Sequence, residues 1–177
     1  MTAEDAIALL ERYRAGRASR EQVLQALQAA PVADLGFARV DLHRGLRQGF
    51  PEVIYGAGKS PRQVVEIAAH ILDREDCLLV TRAGLDHARA LRRRLPKAIY
   101  HPMARCITYE RHPRARRPGR IAVLCAGTSD LPVAEEAAVT AEIMGNNVDR
   151  LFDVGVAGLH RLLGKLESIQ QANVLVV

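Results

Sequence analysis

The chain has 177 residues, 49% hydrophobic and 25% charged, with a net charge of +5; this calls for a folded core and excludes a disordered chain. Aromatics are 4% and Trp is absent, so the core is aliphatic and a base-stacking platform for single-stranded nucleic acid is not expected. Cys77, Cys106 and Cys125 form no CxxC and no Cys/His pair at metal spacing, no apolar run approaches a membrane span, and the acidic start at Glu4 and Asp5 is no signal peptide, so a cytoplasmic protein without a metal centre is expected.

Ile7, Leu10 and Tyr13 lie at helical spacing and predict a helix over 2–15. Ser19-Arg20-Glu21-Gln22 is a capping box that opens a second helix over 19–30, with Val23, Leu24 and Leu27 inward, ending before Pro31. The two helices read as a packing or oligomerisation element. From Arg39 to Glu52 charge is dense. Arg39, Arg44 and Arg47 could form an anion site oriented by Asp41 and Glu52; residue chemistry alone favours a solvated loop with local ion pairs. Val53-Ile54-Tyr55 predicts a short strand. The following Gly56-Ala57-Gly58-Lys59-Ser60 is not a P-loop, because Val53 stands where the first glycine is required.

Ser60-Pro61-Arg62-Gln63 is a second capping box, and Val64, Ile67, Ala68, Ile71 and Leu72 predict a helix to about Arg74. Cys77–Thr81 reads as a buried strand, Asp86–Leu95 as a basic helix, and 98–100 and 106–109 as further strands. Residues 1–110 are therefore expected to form a small α+β region. Residues 111–120 hold five arginines, two prolines and a glycine. They read as a basic inter-domain linker, with a nucleic-acid arm as the sharper alternative and reach over the neighbouring site to the phosphate of a small ligand as a third.

Ile121–Cys125 is an unbroken apolar run, as in a strand buried on both faces. Gly127, Thr128, Ser129 and Asp130 follow, then a helix to about Met144 whose sheet-facing side is expected to be Val133, Ala137, Ala141 and Met144. Such a strand–turn–helix start suits phosphate, although Asp130, Glu135 and Glu136 add negative charge there. On spacing alone, plain capping by Asp130 is slightly favoured over contact with a ribose. Leu151–Val154 is expected to end a second strand. Gly155 and Gly158 bracket Val156-Ala157, a place for close backbone approach, and the helix that follows is expected to bury Leu159, Leu162, Leu163, Leu166 and Ile169. His160 and Arg161 sit in its first turn, where a cation opposes the helix dipole and suggests an anionic partner, a carboxylate or a phosphate; a surface pair is the alternative. Asn173–Val177 predicts a third strand.

The run Ala126-Gly127-Thr128-Ser129-Asp130-Leu131-Pro132-Val133-Ala134, followed by Ala157-Gly158-Leu159-His160-Arg161, resembles the PurE-type carboxylase domain with its Gly-Ser-x-Ser-Asp and Ser-Ala-His-Arg turns. The resemblance implies that Gly127, Thr128, Ser129 and Asp130 bind ribose and phosphate. It implies that Ala157, Gly158 and Arg161 complete the substrate site, with Arg161 on phosphate, and that His160 lies near the reacting carbon. Upstream, Asp41-Leu42-His43-Arg44, Gln48-Gly49-Phe50-Pro51-Glu52-Val53-Ile54-Tyr55-Gly56 and Gly58-Lys59 make most of residues 35–177 similar to the LarB family. That likeness draws Arg44, Arg47 and Glu52 toward the site.

The LarB family carboxylates the pyridinium ring of nicotinic acid adenine dinucleotide. It cleaves the phosphoanhydride to give pyridinium-3,5-biscarboxylic acid mononucleotide and AMP, an early step toward the nickel-pincer nucleotide of lactate racemase. The resemblance implies carbon dioxide or bicarbonate as co-substrate and a homo-oligomer, and leaves magnesium open. A thiolate adds to the ring, the adjacent carbon attacks carbon dioxide, and proton loss with thiolate expulsion restores the ring. The family's nucleophilic Cys has no position here, and none of the three cysteines is assigned that role, so a chain ending at Val177 is expected to be inactive and prone to self-association.

The expected fold class is α/β: the α+β region, then the first βαβαβ part of a PurE-like, flavodoxin-like doubly wound parallel sheet over 121–177, incomplete at the C-terminus. An aminoimidazole ribonucleotide carboxylase or mutase is a rival that the long N-terminal region and Gly49-Phe50-Pro51-Glu52 argue against. A nucleotide-binding module without chemistry is another, and a nucleic-acid binder using Arg111–Arg120 is disfavoured by the modest net charge.

Overall fold

The computed structural model describes residues 3–28, 32–41, 44–112 and 114–177. Thr2, Ala30, Leu42, His43 and the side chains of Leu27 and Arg47, all invoked above, lie outside the described part. Both capping boxes form. Gln22 N donates to Ser19 Oγ at 3.2 Å and Ser19 N to Gln22 Oε1 at 2.8 Å; Ser60 and Gln63 make the same exchange at 3.3 and 2.8 Å. They open α2 (Arg20–Gln28) and α4 (Pro61–Leu72), while α1 spans Ala3–Arg14.

Between α2 and α4 the chain forms β1 (Val32–Asp34) and β2 (Arg39–Asp41), an antiparallel hairpin, then α3 (Arg44–Gln48). Neither element was expected, because three-residue strands reading Val-Ala-Asp and Arg-Val-Asp carry almost no apolar periodicity. Their turn is local chemistry: Gly36 has φ +77° and donates its amide to Asp34 Oδ1 at 2.8 Å.

The first large sheet comprises β3 (Ile54–Tyr55), β4 (Cys77–Thr81), β5 (Ile99–His101) and β6 (Cys106–Glu110), in the order β3-β4-β6-β5; only the β3–β4 pair is parallel. α4 and α5 (Leu85–Arg92) cover one face, where Val64, Ile67, Ile71 and Leu91 pack on Leu78, Val80 and Ile107. The second sheet holds β7 (Arg120–Leu124), β8 (Asn147–Leu151) and β9 (Val174–Val176), all parallel, in the order β8-β7-β9. Numbered within this unit, that is the 2-1-3 order of a flavodoxin-like doubly wound sheet. α6 (Leu131–Ile143) packs on one face; α7 (Leu159–Leu163) and α8 (Leu166–Gln171) lie on the other.

Helix α6 lies between the two sheets. Ala134 and Ala138 face Val123 and Cys125 of the second sheet, while Val139 and Ile143 pack on Cys77, Leu79 and Cys106 of the first. This corrects the expected stripe: Val133 is 58% exposed, and Ala134 and Ala138 are the buried sheet-facing pair. A helix buried on two sides is apolar nearly all round, so no single stripe stands out in its sequence. The last helix is corrected as well. Gly164 and Lys165 divide it into α7 and α8, only Leu162 and Ile169 pack on the sheet, and Leu159, Leu163 and Leu166 stay exposed. β8 ends at Leu151 rather than Val154, because Asp153 turns the chain with φ +59°.

Two arginines of 111–120 bind helix ends. Arg111 donates to Leu72 O at 2.9 Å, behind α4, and to Asp76 at 2.8 Å. Arg116 donates to Glu142 O at 2.7 Å and Asn146 O at 3.0 Å, behind α6. Cations are favoured there, where carbonyls lack intrahelical partners. Among the described residues no helix is long and apolar enough to cross a membrane.

Candidate functional site

In a doubly wound sheet, loops at the carboxyl ends of the strands gather on one edge. The turns after β7 and β8 do so here, and they are bonded together. Val154 N donates to Cys125 O at 3.1 Å and Gly155 N to Ala126 O at 3.0 Å, which continues the β7–β8 ladder past both strands. A Cβ on Gly155 would sit 2.8 Å from Ala126 O, so only glycine admits this approach unchanged. Gly127, Thr128, Ser129 and Asp130 are thereby brought beside the turn that carries Ala157, Gly158, His160 and Arg161.

The first turn is a 3-10 turn over Thr128–Asp130 that leads into α6. The carboxylate of Asp130 accepts the Gly127 amide at 3.2 Å and makes no cap bond to α6. The expected cap is thus corrected: Pro132 removes one of the amides an N-cap would bind, and the side chain turns back instead. Thr128 and Ser129 are exposed. Among the described residues their hydroxyls have no hydrogen-bond partner.

In the second turn Gly158 is buried and His160 and Arg161 are exposed. Arg161 forms an ion pair with Asp153, the residue held at positive φ. Asp153 is therefore the anionic partner suggested by a cation in that first turn. The guanidinium lies against Gly158, where a Cβ would fall 2.5 Å from Arg161 Nε.

Negative charge at the start of α6 is balanced from both sheets. Arg82, at the end of β4, pairs with Glu136 at 2.7 Å. Arg150 on β8 reaches Glu135 at 3.1 Å and holds Glu142 with two bonds of 2.5 and 2.9 Å. The Arg150 bonds hold the Glu142 carboxyl below its ordinary value. Glu135 and Glu136 thus confront an anion at the turn as ion pairs rather than as bare carboxylates. Next to Asp130, Val123–Ala126, Val133, Ala134, Ala137, Val176 and Val177 line an apolar hollow of about 280 Å³.

Arg44 and Glu52 are not brought to these turns within one chain. Arg44 stands on α3, whose Gly45 lies against the carboxylate of Glu75. The next residues, Gly49 and Phe50, meet Arg117, Arg114 and Ile143 at the far end of α6. A helix of 13 residues separates that end from Asp130 by roughly 20 Å. Glu52 accepts the Asp41 amide and lines a separate hollow of about 180 Å³ with Arg39, Tyr55 and Lys59.

Two of the three thiols are closed to attack. Cys77 and Cys106 are fully buried, and burial pushes them up to about 11 and about 12. Cys125 is buried at the end of β7, its Sγ 3.8 Å from Gly127 O. Among the described residues no three His, Cys, Asp or Glu side chains converge to hold a metal ion.

One residue escaped sequence reasoning: Asp153, which orients Arg161; Gly155, expected to allow close backbone approach, does so against Ala126 O. The signal for Asp153 was an acidic residue just after the strand.

Residues 32–111, from β1 to just past β6, match the LarB/PurE-like N-terminal domain. An uncharacterized protein of Methanocaldococcus jannaschii is 31% identical over 144 residues, covering 77% of this chain and 56% of its own length. The chain spans little more than half the length of that relative.

Proposed function

The chain belongs to the LarB family through its LarB/PurE-like N-terminal domain, and on that premise we propose that it serves carboxylation of the pyridinium ring of nicotinic acid adenine dinucleotide in the cytoplasm. The products are pyridinium-3,5-biscarboxylic acid mononucleotide and AMP. The turns after β7 and β8 hold the mononucleotide half. Ser129, Thr128 and the loop amides meet phosphate, Asp130 meets ribose hydroxyls, Arg161 adds a second phosphate contact, and His160 moves a proton near the reacting carbon. Carbon dioxide or bicarbonate is the co-substrate. Ring activation calls for a thiolate, a role assigned to none of Cys77, Cys106 and Cys125.

One observation carries this reading: the Gly155–Ala126 bond sets two polar turns with exposed hydroxyls, an imidazole and a guanidinium side by side. Calorimetry tests it. The purified chain should bind nicotinic acid adenine dinucleotide, and S129A and R161A should each weaken that binding. Preference for aminoimidazole ribonucleotide would move the assignment to the purine carboxylases, and absence of heat with either nucleotide would sink it.

A further inference from the structure

The α1–α2 hairpin precedes the segment that matches the family and makes its principal contacts within itself. Ala6 and Leu9 of α1 and Val23 and Ala26 of α2 are half-buried. A second apolar stripe is left open: Ile7 is 58% exposed, Leu10 55% and Tyr13 47%, beside Leu24 of α2 at 44%. At 100° per residue, Ala3, Ile7, Leu10 and Arg14 fall within an arc of roughly 60°, with Glu4 and Glu11 on its flank.

We propose that this stripe docks on the same stripe of a second copy, antiparallel, about a two-fold axis between Ala8 and Leu9. The proposal is independent of the nucleotide reading above. Sequence and charge select this occupant and orientation. With the axis there, Ile7 of each copy faces Leu10 of the other, so the apolar centre is self-complementary, as a two-fold contact requires. Arg14 of each copy arrives at the level of Ala3 and Glu4 of the other, giving two symmetric ion pairs at the ends of the contact. A parallel arrangement would instead set Glu4 against Glu4 and Arg14 against Arg14. Leu24 and Tyr13 widen the contact from one helix pair to two hairpins.

Light scattering on the full chain across a dilution series tests the pairing. The wild type should associate. L10E, E4R and R14E should each lower the mass of the associated species twofold, with unchanged helical circular dichroism. E4R carries only cations at the contact ends, and R14E only carboxylates. Mixed in equal amounts, these two should recover the wild-type mass. A wild type that does not associate, variants that keep the wild-type mass, or a mixture that stays dissociated would each overturn the proposal.

Discussion

The contact between the two turns predicts opposite behaviour for two neighbouring glycines. Gly155 has φ −62° and Gly158 φ −135°, so alanine fits either backbone. What differs is the obstacle. In G155A the new methyl meets Ala126 O at 2.8 Å, a backbone atom held by the β7–β8 ladder. Overpacking against a rigid neighbour costs about 1–3 kcal/mol. Alanine's smaller unfolded-state entropy returns about 0.4–1 kcal/mol, leaving a net loss of about 1–2 kcal/mol. For a chain of this length that lowers Tm by roughly 2–8 °C. In G158A the methyl meets Arg161 Nε at 2.5 Å, the movable end of a side chain whose pair with Asp153 is exposed. Breaking an exposed pair costs about 0.2–1 kcal/mol, so Tm should hardly change. Yet Arg161 is displaced, and nicotinic acid adenine dinucleotide affinity should fall by about 10–100-fold, the worth of one charged hydrogen bond. Thermal unfolding and calorimetry on both variants read the two effects separately. If G155A melts with or above G158A, the turns do not press on each other as described.

Other expectations follow from the helix ends, the ion pairs and the thiols. R116A removes two bonds to carbonyls behind α6 and should cost about 1 kcal/mol in urea unfolding; an unchanged midpoint would make that contact idle. The Glu142 carboxyl is held below its ordinary value by Arg150, so its contribution is fully present above the unfolded value and is lost as pH falls through the folded one. Stability of the wild type should therefore drop on acidification below about pH 4.3, the unperturbed glutamate value. E142Q should show a shallower drop in urea titrations between neutral and acid pH; equal slopes would refute the linkage. Cys77 and Cys106, pushed up to about 11 and about 12, should resist a disulfide reagent near pH 8 in the native chain and react once it is unfolded. Rapid native labelling of either would contradict their burial.

What the sequence disclosed was local. Ser19 and Ser60 announced their helices because a capping box is complete within four residues. Strands β4 and β7 were legible because burial on both faces leaves an unbroken apolar run. The hairpin β1–β2 was illegible because its strands are too short to show a period. The inward side of α6 was misread for a different reason: residues facing two sheets cannot be sorted by periodicity, and only tertiary contact separates Ala134 and Ala138 from Val139 and Ile143. In the site, the turns themselves could be read from Gly127–Asp130 and Gly158–Arg161. Their coupling through Gly155 and Ala126, and the turning of Arg161 onto Asp153, depend on strand register and could not.

The position of α6 has a consequence for the turn at its start. Thr128–Asp130 rests on a helix gripped from both sides: by Arg150 from β8, which holds Glu135 and Glu142, and by Arg82 from the first sheet, which holds Glu136. Arg82 sits at φ +51°, a conformation that costs a non-glycine residue about 1–2 kcal/mol. Its neighbours supply the restraint, since a Cβ on Gly56 would come within 3.0–3.4 Å of Thr81 O, Arg82 O and Ala83 Cα. The segment Gly56-Ala57-Gly58-Lys59 is in turn tied to α5: His87 Nδ1 accepts the Gly84 amide at 3.0 Å, and Nε2 donates to Lys59 O at 2.8 Å. Only the neutral imidazole protonated on Nε2 satisfies both partners. A chain of contacts thus runs from His87 through Gly56 and Arg82 to Glu136, one and a half turns into α6. R82G should relieve the strain yet remove the ion pair, so it separates the two roles. If the pair positions the turn, R82G weakens nucleotide binding while leaving Tm within a few degrees, and R82K, which keeps the charge, restores part of the affinity. Equal binding by all three proteins would leave Arg82 a purely local feature of the β4 end.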